Sequence, residues 1–81
     1  MKVEVTLFAT LADYLPAAGR EGSAVVDLPD ESTIVDLARW LGIPPEFSWI
    51  ALVNGQEADP GRRLVADDVV MLFPPLAGGA V

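Results

Sequence analysis

Residues 2–8, "KVEVTLF", alternate: Val3, Val5 and Leu7 share one face and Lys2, Glu4 and Thr6 the other, the period of a half-buried strand. Phe8 then puts an aromatic ring on the polar face. In "ATLADYLP" (9–16), Leu11, Tyr14 and Leu15 stand at helical spacing, which predicts about one or two turns before Pro16 stops them. Residues 17–22 read as a loop. "SAVVDL" (23–28) is β-branched enough for a second strand, closed by the turn signal Pro29-Asp30. The clearest helix follows. Thr33 is its N-cap, Asp36 stands three residues on in capping-box spacing, Ile34, Leu37, Ala38 and Leu41 form one apolar stripe, and Gly42 is the stop. Pro44-Pro45 forbids continuation. "WIALV" (49–53) is a short apolar strand running into Asn54-Gly55, a strong hairpin signal, with residues 56–58 as its brief partner. After a polar loop at 59–63, "VVMLF" (69–73) reads as a continuous apolar strand of a central position, covered on both faces or nearly so. Pro74 can donate no ladder hydrogen bond, so the sheet should end there.

One helix has one stripe to bury, and a small sheet has one apolar face to cover, so the helix should lie across a mixed sheet. The first and last strands are the most apolar and belong side by side in the middle, as a parallel pair joined through the helix. That is an α+β fold of the β-grasp, or ubiquitin-like, kind. We expect a β-grasp domain over residues 1–75 and a flexible C-terminal tail over 76–81 that carries Gly78-Gly79.

Length and composition narrow the function. A chain of 81 residues has room for one domain with one modest core. Its formal charge of −7 argues against nucleic acid or anionic lipid as partner and favours a protein with a basic face, or simply solubility. With neither cysteine nor histidine, it has no disulfide, thiol nucleophile, imidazole base or zinc site of the usual kind. No apolar run approaches the ~18 residues of a membrane span, and Met1-Lys2 before an alternating strand is not a signal peptide. A soluble cytoplasmic protein is expected.

No phosphate-binding glycine loop, nucleophile elbow or dinucleotide fingerprint occurs. Asp30-Glu31 and Asp67-Asp68 read as turn and cap residues before they read as a metal or acid-base pair, and Arg62-Arg63 as a solvated loop. No catalytic constellation and no metal site is expected, so the chain is not read as an enzyme. Phe8 and Phe73, if their strands are neighbours, form with Leu76 an exposed patch suited to a partner, or else cap the edge of the core. The Gly-Gly end is either a probe slim enough for a narrow channel or an ordinary frayed terminus.

The stretch "FPPLAGG" (73–79) resembles the C-terminal signature of the MoaD/ThiS sulfur carriers, and most closely of the small subunit of molybdopterin synthase. "LVNGQEAD" (52–59), "LVADDVVMLFPP" (64–75) and the opening strand up to Phe8 resemble the family too, so the likeness spans the chain. It implies a carrier that binds no cofactor itself. A ubiquitin-activator-like adenylyltransferase uses ATP to adenylate the terminal glycine, which becomes a thiocarboxylate and gives its sulfur up in a partner's active site. That partner is the molybdopterin synthase large subunit, or another sulfur-accepting enzyme serving a different sulfur-containing metabolite or amino acid. Carried over, Gly79 bears the sulfur, Gly78, Ala77 and Leu76 thread the tail, and Phe8, Phe73, Pro74 and Pro75 meet the partner. A ubiquitin-like binding module that carries no sulfur is the rival reading.

The sequence departs from the family pattern at three places. A family arginine shortly after the Phe8 position is absent, with Ala12 at about its place, and Ala66-Asp67-Asp68 stands for an Asp-Gly-Asp turn. Ala80-Val81 places the Gly79 carboxyl inside a peptide bond, so on the carrier reading a peptidase is expected to remove them before activation.

Overall fold

The computed structural model describes residues 1–15 and 22–75. Strands β1 (Lys2–Leu7), β2 (Ser23–Asp27), β3 (Ile50–Val53), β4 (Gln56–Ala58) and β5 (Val69–Phe73) form one mixed sheet in the order β2-β1-β5-β3-β4. β1 and β5 are parallel neighbours, with Val5 opposite Val70 and Leu7 opposite Leu72, and the other pairs are antiparallel. The β-grasp expected from the hydrophobic pattern is therefore the fold adopted.

Strand alternation decides which side of the sheet is dry. Val3, Val5, Leu7, Ala51, Val53, Val70 and Leu72 are buried in one cluster with Ile34, Leu37, Ala38 and Leu41 of helix α1 (Ile34–Leu41). Each large side chain in that cluster stabilises the fold by about 1.5–3 kcal/mol. The Thr33 hydroxyl accepts from the Asp36 N–H at 3.2 Å while the Asp36 carboxylate accepts from the Thr33 N–H at 2.9 Å, a complete capping box. At the other end Gly42 adopts φ 86°, and its N–H reaches the carbonyls of Ala38 and Arg39.

Two local expectations change. β5 is central but covered on one face only: Val70 and Leu72 face α1, whereas Val69, Met71 and Phe73 are half-buried on the open side. With one main helix available, the second face has nothing to cover it. The turn at Ala9–Tyr14 is a 3₁₀ helix, entered through Ala9 at φ 53°, and it buries only Leu11. The stop expected at Pro16 and the tail residues Leu76, Ala77, Gly78, Gly79, Ala80 and Val81 lie outside the described residues. Among the described residues no helix is long and apolar enough to cross a membrane.

Candidate functional site

The open face of the sheet is graded. Direct partners in the ladder share a face, so Ser23, Thr6, Met71, Leu52 and Glu57 form one row across it, and Val25, Glu4 and Val69 a second. Toward the C-terminal ends of β1 and β5 the polar members give way to Phe8, Phe73 and Ile50. The Phe8 N–H donates to the Leu72 carbonyl at 3.1 Å, carrying the parallel ladder one residue past β1 and fixing Phe8 on the side of Thr6 and Glu4. Its ring stands edge-on to that of Phe73, centroids 5.8 Å apart and planes at 82°. Phe8 is still 41% exposed.

Phe8, Ala9, Leu52, Met71, Phe73, Pro74 and Pro75 line an apolar depression of about 560 Å³. The structure thus brings together the interface residues named from the sequence, Phe8, Phe73, Pro74 and Pro75, at the point where the chain leaves the sheet. Leu52, Met71 and Ala9 were not singled out in advance. The first two were accessible from the period of β5 and the hairpin register. Ala9 was not, because its part is a left-handed backbone that turns the chain sharply at the rim.

A polar clasp holds the end of β3 against the start of β5. Asn54, at φ 53°, donates its N–H to the Val69 carbonyl at 2.8 Å and accepts the Val69 N–H on Oδ1 at 2.9 Å. Its Nδ2 donates to Asp68 Oδ1 at 2.9 Å, and Asp68 Oδ2 accepts the Val65 N–H at 2.9 Å. Asp68 is only 4% exposed, yet both its oxygens are engaged by neutral donors. It ties turns together, and the metal or acid-base alternative for Asp67-Asp68 has no geometry to support it. Among the described residues no cluster of acidic side chains has the arrangement of a metal site.

Comparison with known proteins agrees with this fold. The family model described as "Mut7-C ubiquitin" matches residues 1–78. The chain belongs to the Mut7-C ubiquitin family. Two solved structures of small archaeal modifier protein 1 from Haloferax volcanii are similar over nearly the whole chain. One is SAMP1, at 29% identity and TM-score 0.70, covering 98% of this chain and 100% of that one. The other is at 30% identity and TM-score 0.70, covering 91% and 97%. A Pyrococcus furiosus protein proposed to be molybdopterin converting factor, subunit 1, shares the fold at TM-score 0.68 and 24% identity, covering 91% of this chain and 97% of that one. No curated protein matches the chain significantly.

As a Mut7-C ubiquitin family member with a MoaD/ThiS-like ubiquitin fold, the chain gives one of its departures a physical reading. Asp67 adopts φ 72°, at the position where the sulfur-carrier pattern has glycine. The left-handed turn is kept, since aspartate tolerates that conformation better than most residues.

Proposed function

We propose that this chain is a sulfur carrier: once Ala80-Val81 is hydrolysed off, the Gly79 carboxyl is adenylated and then converted to a thiocarboxylate. The carboxylate oxygen attacks the α-phosphorus of ATP in the active site of a ubiquitin-activator-like adenylyltransferase, and pyrophosphate leaves. A persulfide sulfur then attacks the acyl carbon and displaces AMP, and a second thiol reduces the resulting S–S bond to leave the thiocarboxylate. Residues 1–75 serve as the docking domain, and Leu76, Ala77 and Gly78 lead the sulfur into the acceptor enzyme. Molybdopterin formation in the cytoplasm, on a synthase large subunit, is the destination we favour, with another sulfur-containing metabolite or amino acid as the alternative.

The observation that carries this reading is the apolar depression around Phe8, Phe73 and Pro74 at the root of a "PPLAGG" tail. An aromatic pair, Phe8 exposed and Phe73 half-buried, beside the exit of a glycine-ended segment suits a protein that docks by its sheet and reacts by its terminus. The likeness to small archaeal modifier protein 1 favours one second reading, in which the same activated Gly79 carboxyl is passed to an amine of a target protein. Both need the same first step, and the acceptor separates them.

The test is ATP–pyrophosphate exchange with the activating enzyme of the same cell, comparing the chain ending at Gly79 with the chain ending at Val81. Exchange with the first and none with the second is expected; equal exchange, or none with either, contradicts the proposal.

A further inference from the structure

The side of the molecule away from the open sheet face carries a feature that sulfur transfer leaves unused. Trp40 lies on the outer side of α1 and is 51% exposed, although the same helix buries four apolar residues against the sheet. It separates two depressions. One, of about 520 Å³, is lined by Trp40 with Asp30, Glu31 and Asp36, and Arg39 is its one cation. The other, of about 420 Å³, is lined by Trp40 with Tyr14 and Asp13. Asp36 and Trp40 are i,i+4 neighbours, so carboxylate and indole share one helix face. Asp30 lies 3.6 Å from the Met1 ammonium, and among the described residues Asp13 and Glu31 have no ion-pair partner.

We propose that this helix side is a docking surface for a lysine- or arginine-bearing segment of a partner protein. An indole face attracts a cation by its quadrupole, and carboxylates on both sides neutralise what the ring only polarises. A basic segment laid across Trp40 gains both terms at once, and in a chain of formal charge −7 its approach is also steered. An apolar partner would cover the indole but bury Glu31 and Asp13 without compensation. Because α1 and the Phe8–Phe73 patch lie on opposite sides of the sheet, a basic segment bound here leaves the tail side free. The surface does not depend on what Gly79 carries.

The test is an NMR titration of the full chain with an oligolysine peptide at low salt, with oligoglutamate as control. Saturable shifts of the Trp40 indole N–H and of the Asp13, Glu31 and Asp36 amides are expected, with none at Phe8 or Phe73. Trp40→Ala should weaken binding about threefold or more, Glu31→Gln should weaken it as well, and added salt should weaken it further. Trp40 packs outside the core, so an unchanged dispersed spectrum will show each variant folded. Absence of saturable binding overturns the proposal. So do shifts spread equally over Glu4, Glu57 and Asp59, or an affinity that Trp40→Ala does not change.

Discussion

Asn54 and Asp68 show how much one side-chain pair can control here. The side-chain amide satisfies the Val69 N–H and one Asp68 carboxylate oxygen, so removing it orphans a buried acceptor as well as a backbone donor. Asn54→Ala should therefore lower unfolding free energy by about 1–3 kcal/mol in urea denaturation. Asp67→Gly should raise it by up to about 1 kcal/mol, because glycine adopts φ 72° without strain. Phe8→Ser should cost about 1–3 kcal/mol, the lost edge-to-face contact together with the part of the ring held out of water. The same change should weaken docking to an acceptor enzyme about tenfold or more in a binding measurement, with the fold intact. Phe8 was legible in the sequence because strict alternation puts it on the polar face of β1, and Phe73 because it closes the last strand; that they meet followed from placing β1 beside β5. The Asn54–Asp68 clasp was not, because its members are 14 residues apart and each alone reads as an ordinary turn residue.

At the level of elements, α1 was read almost to the residue: cap, box, stripe and glycine stop all agree with the observed span Ile34–Leu41. Its N-terminal end should also respond to pH. The Thr33 backbone N–H, and secondarily its hydroxyl, hold the Asp36 carboxyl below the usual aspartate range. The ionised carboxylate thus favours the folded state at pH above that of an unfolded aspartate, and the contribution is lost as pH falls through the lowered value. Acid titration of helical circular dichroism should show this loss, and Asp36→Asn should remove that part of the dependence. Thr33→Ala should cost about 1 kcal/mol at neutral pH, and Leu37→Ala, from the fully buried stripe, about 2–5 kcal/mol. The covering of β5 was misjudged for an instructive reason. "VVMLF" is apolar at every position, which normally signals burial on both faces, but here Met71 and Phe73 serve an open surface. Apolar continuity reports what a face avoids, and a docking surface avoids water as a core does.

At the scale of the whole molecule, the parallel pair β1–β5 gives the fold its polarity. It brings Phe8 and Phe73 to one end, and the chain departs from that same end through Pro74-Pro75. On the carrier reading we propose, the domain is the address and Leu76–Gly79 the cargo end, a role suggested by the tail's likeness to a family and not by any periodicity. The central claim is that Gly79 is the reacting terminus. The most direct measurement is the intact mass of the protein isolated from the cell that makes it. A species that has lost Ala80 and Val81 is expected, accompanied by one heavier by the replacement of a carboxyl oxygen with sulfur. Protein found only at full length and unmodified would contradict it.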